Sequence, residues 1–452
     1  MKRLLYILIA LTALLSLSAC SKPSVPMLNG VEISEYSIVY DKEGLDYNKR
    51  AAEYIRDTIL ERSGVELSII DDAEPAGEYE IVVGQTERAI SAELDAETEG
   101  LEFAIMAKGG SIALEGEYFV IAAAAYYFMD TYTLDGDYVG TIPEGVSIHE
   151  PIAKSADNLI MLIGDGMGVY QTLLYDYLTD TSDYSDGEDF FYGYALPYHG
   201  FSMTASLSGV TDSAAGGTAL ATGYKTYNDY VGIDRDKNEL KSLTELAAEL
   251  GKATAVMSTE NRTGATPSTF SAHTDSRDNT SDILKDQVAL TQKYGTVIEC
   301  GYDYYTASYI EVIEEYITKT LDTLDDDNDG FFLMYEEAHI DKKSHKGNME
   351  GTFLALIRFN QAIARFMEYA FYHPGTAVLI TADHETGGLR PGEDGTLAYS
   401  AEGHTLDDVP IFAWGIGLDV IDGQTVENTE IARIFASLMG EDSFGDPEAV
   451  NH

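Results

Sequence analysis

Ser213 is the first residue about which chemistry can be argued. It follows Thr211 and Asp212, both cap-type residues, and opens a run of small side chains, Ala214-Ala215-Gly216-Gly217-Thr218-Ala219, that extends to Gly223. This pattern predicts a tight helix with Ser213 in its first turn and a stop near Gly223. The unpaired N–H groups and partial positive charge of a helix start suit a bound phosphate or a developing alkoxide. A serine there is ordinarily only a cap, so its reading as a nucleophile rests on the company it keeps. That company is acidic and imidazole-bearing: Asp165 in Gly164-Asp165-Gly166-Met167-Gly168, Glu336 ahead of Asp341 and His345, Asp383 beside His384, and His404 in Glu402-Gly403-His404-Thr405. Asp341 and His345 are spaced to share a helix face, Asp383 and His384 offer adjacent ligands from a turn, and His404 can close a set. Several such clusters in one chain point to a multi-metal site. His149, His199, His273, His373 and His452 lack such neighbours and read as packing residues, whereas His339 is open between the two readings.

Each cluster follows an apolar run. Asn158 to Ile163, Phe331 to Tyr335 and Ala377 to Thr381 are continuous apolar stretches of the kind expected for strands buried on both faces. In open parallel sheets, sites form at the carboxyl ends of strands, which is where the clusters fall. Lys241 to Gly251 reads as a helix with an apolar stripe and a glycine stop, Ala253 to Met257 as the next strand and Ile310 to Leu324 as another helix. From Val31 to Glu150 the pattern differs. Strands are expected near Tyr36 to Tyr40, Glu66 to Ile70, Tyr79 to Val83, Leu101 to Ala107 and Ser111 to Leu114, with helices at Tyr47 to Glu61 and Tyr118 to Thr131. This is an α+β module with no ligand-spaced constellation; packing and carbohydrate contact are its two open roles, and packing is favoured.

The motifs Asp-Gly-Met-Gly, Thr-Asp-Ser-Ala-Ala-Gly-Gly-Thr-Ala, Ala-Thr-Pro, Ile-Asp-Lys-x-x-His, Ala-Asp-His-Glu and Gly-His-Thr occur in this order between Asn158 and Leu438. That ordered set resembles the alkaline phosphatase family. The resemblance implies an α/β fold, a doubly wound, largely parallel sheet sandwiched by helices, here preceded by the small α+β domain. It also implies hydrolysis of phosphomonoesters through a phosphoserine at Ser213, with two Zn²⁺ and one Mg²⁺ as cofactors. Asp341, His345 and His404 match the ligands of one zinc, and Asp165, Asp383 and His384 those of the other. Thr266 and Glu336 would complete the magnesium site with Asp165. Arg277 matches the arginine that forks onto phosphate oxygens, and Lys342 a lysine of the catalytic surroundings. Gly264 departs from the family pattern, since many relatives carry an aspartate or histidine there; Lys342 is then expected to lack its partner. The closing helix should begin with Thr429 as its cap. The N-terminal module is similar, through Tyr79-Glu80-Ile81-Val82-Val83-Gly84, to the small accessory domain of some glycoside hydrolases.

The formal charge of −49 over 452 residues argues against nucleic acid as a partner and makes bound metal ions the expected means of gathering positive charge around phosphate. Lys2 and Arg3 precede an apolar run from Leu4 to Leu17 and then Leu17-Ser18-Ala19-Cys20, a secretory signal whose end resembles a bacterial lipobox. The expected organisation is a signal over 1–20, a tether over 21–30, the module over 31–150 and the catalytic domain over 155–445. Lipidation at Cys20 would anchor the exported protein to the cell envelope. Cys300 then has no partner and reads as an ordinary thiol. Small phosphomonoesters are the expected substrates, and a homodimer is compatible with the chain although no interface is legible. Asp325 to Glu336 satisfies an EF-hand loop pattern but leads into an apolar run, so a solvated turn before a strand is expected instead. Two other readings compete: a phosphodiesterase or related esterase of the same superfamily, and a non-catalytic lipoprotein that captures phosphate or glycan.

Overall fold

The computed structural model describes residues 26–42, 46–94, 101–116, 120–132, 139–153, 155–178, 191–301, 309–325, 327, 329–393 and 395–445. Cys20 and its apolar run lie outside the described residues, as do Asp326 and Asn328 of the acidic loop. The chain divides into two compact units at Glu150 and Pro151. No helix among the described residues is long and apolar enough to cross a membrane.

The N-terminal unit contains strands Ser37–Tyr40, Ile69–Asp71, Glu80–Val83, Glu102–Lys108 and Ser111–Glu115 and helices Asp46–Ser63 and Val120–Tyr132. Within the expected tether, Met27–Leu28 already pairs with Val31–Glu32. The buried Glu80 carboxylate is held by Arg88 at 2.9 and 3.1 Å, and Arg88 also donates to the Asp72 carbonyl at 2.9 Å. That bonding satisfies an otherwise costly buried charge.

The second unit is built on an eight-stranded sheet. Its strands in chain order are β1 (Asn158–Gly164), β2 (Tyr198–Met203), β3 (Ala253–Ser258), β4 (Val297–Cys300), β5 (Phe331–Glu337), β6 (Thr376–Thr381), β7 (Val409–Trp414) and β8 (Thr425–Glu427). They lie in the order β4-β3-β5-β1-β6-β7-β2-β8. The first five are mutually parallel, β7 runs antiparallel to both β6 and β2, and β8 returns parallel to β2. The helices are α1 (Val169–Leu178), α2 (Ser213–Thr222), α3 (Leu243–Glu249), α4 (Ala265–Thr269), α5 (Thr280–Tyr294), α6 (Tyr309–Asp325), α7 (His339–Ser344), α8 (Met349–Tyr372) and α9 (Asn428–Leu438).

Strand alternation assigns residues to two cores. Leu159, Met161 and Ile163 of β1 and Phe332 and Met334 of β5 pack with Leu220 of α2, Leu243 of α3 and Phe435 of α9. On the other face Tyr335 stacks on Phe359 of α8 with centroids 6.3 Å apart and meets Phe366 edge-on at 5.5 Å. Both faces are therefore covered by helices, which is why the central strands read as unbroken apolar runs. The same burial decides the acidic loop. Every residue of β5 is buried, including Glu336, so the last position of the EF-hand pattern lies in a sheet.

One expected cap is corrected. Helix α9 starts at Asn428 with Glu427 as its N-cap, and Thr429 is buried inside its first turn. Strand β8 runs straight into this helix, and Glu427 is turned to pair with Lys225 at 2.8 Å.

Helix α2 is drawn so close to the end of β6 that a Cβ on Gly216 would stand 2.7 Å from the Asp383 carbonyl oxygen. Gly216→Ala must separate these elements. It is expected to cost about 1–3 kcal/mol in urea denaturation and to lower bound-metal content in parallel. Val420→Ala, at an exposed side chain, should stay within roughly 0.5 kcal/mol of wild type.

Candidate active site

Helix α2 delivers Ser213. Asp212 caps it, accepting from the Ala215 N–H at 2.9 Å, and Gly223 ends it in the left-handed region at φ 76°. Ser213 is buried as the first helical residue, with Oγ 3.2 Å from His384 Nε2. The second Asp212 oxygen accepts from Asp229 N at 3.0 Å and from Arg277 Nη1 at 3.3 Å. One carboxylate thus orients both the helix start and the guanidinium. Sequence reasoning had placed Asp212 only as a cap; the link to Arg277 spans residues far apart in the chain.

Two groups of candidate ligands converge beside Ser213, Asp341 with His345 and His404, and Asp165 with Asp383 and His384, the ligand atoms of each lying within 4.8 Å of one another. Their hydrogen bonds explain what they face. His345 Nδ1 lies 2.9 Å from the Glu402 carbonyl oxygen and His404 Nδ1 lies 2.7 Å from that of Thr211. A carbonyl only accepts, so each Nδ1 carries a proton, and in the neutral ring each Nε2 presents a lone pair. Those two Nε2 atoms stand 3.0 Å apart, with Asp341 Oδ1 3.2 Å from that of His345 and 3.5 Å from that of His404. Three electron-rich atoms around one point repel unless a cation or proton sits among them. Accordingly His404, although burial opposes its charge, is pushed above its usual pKa by Asp341.

The second group repeats the argument more deeply. Thr386 Oγ1 donates to Asp341 Oδ1 at 2.6 Å and lies 3.3 Å from His384 Nδ1, so it accepts there and leaves His384 Nε2 as the acceptor. That Nε2 faces Asp383 Oδ2 at 3.3 Å and Asp165 Oδ1 at 3.6 Å. Both of these oxygens are buried without a hydrogen-bond partner, and so is Thr266 Oγ1. Orphaned polar atoms at three expected ligand positions fit a cation-binding site. Burial pushes Asp165 well above the usual carboxylate range, helped by the charges of Asp383 and Asp341. Burial, then Asp341, takes Asp383 up to about 7, and burial, then Glu260, takes Glu336 up to about 8. His384 is pushed down to about 3 by burial and by His404, with which it stacks at 3.6 Å between centroids.

The loops are locked from behind. Buried Glu385 accepts from Gln171 Nε2 at 2.9 Å, Gly388 N at 3.1 Å, Leu389 N at 3.2 Å and Thr405 Oγ1 at 2.5 Å, tying the His384 loop to the segment that bears His404. Thr386 and Glu385 were passed over in the sequence; their adjacency to Asp383 and His384 was the available signal. His339 lies outside both groups, near Glu337 at 3.1 Å. Cys300 is a thiol that burial pushes up in pKa. Lys342 is not partnerless as expected: it pairs with Glu260, which reaches it from the turn after β3.

The family model described as alkaline phosphatase matches residues 156–313 and 302–399, more than half of the chain. The chain is 31% identical over 318 residues to alkaline phosphatase 3 of Bacillus subtilis, covering 58% of this chain and 69% of that protein. It is 28% identical over 299 residues to alkaline phosphatase 4 of the same organism, covering 54% of this chain and 65% of that one. Among solved structures, a mutant alkaline phosphatase of the Antarctic bacterium TAB5, with Mg bound, superposes with a TM-score of 0.56 at 25% identity, covering 64% of this chain and 99% of that one.

The raised groups define a pH window for the metal-stripped protein. Asp165, Asp383, Glu336 and His404 hold protons in the folded state that the unfolded chain has released, so their stabilising contribution is lost as pH rises through their folded values, near 7 and 8 for Asp383 and Glu336. His384, shifted down, is neutral in both states above its ordinary 6.5 and does not oppose this. Chelator-treated protein should therefore lose stability as pH rises above about 6.5, by roughly 1.4 kcal/mol per pH unit for each group still protonated in the fold, the share of Asp383 ending near pH 7 and that of Glu336 near pH 8. Saturating zinc and magnesium should flatten that slope in urea denaturation.

Proposed function

This chain belongs to the alkaline phosphatase family, and on that premise we propose that it hydrolyses phosphate monoesters through a phosphoserine at Ser213, with two zinc ions and one magnesium ion as resident cations. Membership makes it a hydrolase of the alkaline phosphatase superfamily. The observation that carries the finer reading is the placement of Ser213 Oγ at a helix start, 3.2 Å from His384 Nε2, with two ligand groups beside it and Arg277 held by its own cap residue.

The donor types support the choice of ions. Asp341, His345 and His404, and likewise Asp165, Asp383 and His384, mix imidazole with carboxylate, which suits zinc. Thr266 and Glu336 with Asp165 offer oxygen alone, which suits magnesium, and a mutant of the TAB5 alkaline phosphatase was solved with Mg bound. When bound, these cations supply Lewis-acid stabilisation of the nucleophile, the leaving oxygen and the transferring phosphoryl group.

The chain's own residues do the rest. Ser213 gives its hydroxyl proton to solvent as Oγ attacks phosphorus from the start of α2, where the N–H groups of the first turn favour negative charge. The ester P–O bond breaks, its electron pair stays on the leaving oxygen, and protonation releases the alcohol. Water then attacks the phosphoserine, the P–Oγ bond breaks, Ser213 regains its proton and inorganic phosphate departs. Arg277 forks onto the non-bridging oxygens throughout; Asp212 keeps it aimed without neutralising all its donors. A diester would place a second organic group where that fork expects a charged oxygen, which favours monoesters.

The test compares p-nitrophenyl phosphate with bis-p-nitrophenyl phosphate on metal-loaded protein. A monoester preference is expected, abolished by Ser213→Ala. Arg277→Ala should lower kcat/KM on the monoester by roughly 10- to 100-fold and weaken inhibition by inorganic phosphate. Diester preference, or turnover that survives Ser213→Ala, would overturn the reading.

A further inference from the structure

Gly264 is the N-cap of α4 and supplies no capping side chain. A Cβ at this position would lie 2.6 Å from Cγ, Cδ and Oε1 of Glu260, so the space a larger residue would need is filled by the glutamate. The helix forgoes a capping side chain and gains room for a carboxylate that originates one turn of chain earlier.

Glu260 is fixed at both ends. Its N–H donates to Ser258 Oγ at 2.9 Å, and that hydroxyl in turn donates to Glu336 Oε2. Its carboxylate is paired with Lys342 Nζ. The buried Thr266 hydroxyl lies beside the Glu336 carboxylate and, like it, is turned into this pocket. After burial, the Glu260 charge is the strongest influence raising Glu336, and it is felt at Asp165 as well. Yet Glu260 belongs to neither direct ligand group, and 22% of its side chain remains exposed, so water has access between it and the cluster.

A hard cation held by few protein oxygens keeps several waters, and those waters need acceptors. Lys342 cannot serve, because an ammonium only donates. Glu260 can. We propose that Glu260 is a positioning residue for the cation of the Asp165, Thr266 and Glu336 pocket, its carboxylate steered by Lys342, admitted by Gly264, and accepting hydrogen bonds from that cation's waters. The proposal rests on the reading of this pocket as the third cation site. It assigns to Glu260 an outer role that the residue at 264, lacking a side chain, cannot fill.

The experiment is a Mg²⁺ titration of the zinc-loaded full chain without substrate, by equilibrium dialysis with metal analysis. Glu260→Gln keeps the shape and removes the charge; Mg²⁺ affinity should fall about 10- to 100-fold while zinc content stays at the wild-type level. Gly264→Ala keeps the charge but displaces the carboxylate, and should weaken Mg²⁺ in the same direction. In turnover assays the Mg²⁺ concentration for half-maximal rate should rise for both variants, with kcat largely recovered at saturating Mg²⁺. If Gly264→Ala sheds zinc through misfolding, the isosteric Glu260→Gln decides alone. Wild-type Mg²⁺ affinity in Glu260→Gln overturns the role of Glu260 and leaves the third site standing. A wild-type chain that takes up zinc but no Mg²⁺ overturns the third site and this inference together.

Discussion

The structure turns on a buried excess of negative charge. Asp165, Glu336, Asp341 and Asp383 are buried at or just beyond the ends of strands, and the three nearby imidazoles, in their neutral form, point lone pairs into the same space. Burying even one uncompensated carboxylate is costly, and several together repel. The raised pKa values of Asp165, Asp383 and Glu336 express that strain in the absence of cations. In the proposed reaction a protein of formal charge −49 must solve the same problem twice, once for its own ligands and once for an anionic ester. Bound cations would answer both needs at one place.

The surrounding architecture follows from holding that charge still. Parallel β1, β5 and β6 end side by side, so Asp165, Glu336 and Asp383 converge although they are distant in sequence. Carbonyls of Thr211 and Glu402 set the tautomers of His404 and His345, and Glu385 clamps the loops behind them. Arg277 is drawn toward Ser213 by Asp212, and Lys342 is engaged by Glu260. Arg277 and Lys342 are thus each tethered to a carboxylate, which keeps them oriented.

Much of the fold was readable. Apolar runs bounded by glycine and acidic turns marked β1, β5 and β6, because strands covered on both faces carry no polar alternation. Helix α2 was legible to its terminal residues, since Asp212 and Gly223 are local signals that need no tertiary context. The start of α9 was misplaced for the converse reason. Glu427 holds the N-cap position of a helix that β8 feeds directly, without a capping hydrogen bond from its side chain, and only the sheet defines where that strand stops.

The sequence by itself marked Asp341 with His345, Asp383 with His384, and His404 as candidate ligands, because residue type and short-range spacing restrict ligand chemistry; Thr266 and Arg277 were added only by the resemblance to a family. The sequence also determined that Ser213 stands at a helix start, which is a matter of neighbouring residues. Tertiary structure alone decided what each group faces: the lone pairs of His345 and His404 opposed at 3.0 Å, the orphaned oxygens of Asp165 and Asp383, and the Glu260 side chain filling the space over Gly264. These relations join positions separated by tens to hundreds of residues. They depend on strand order and loop packing, which no local pattern encodes.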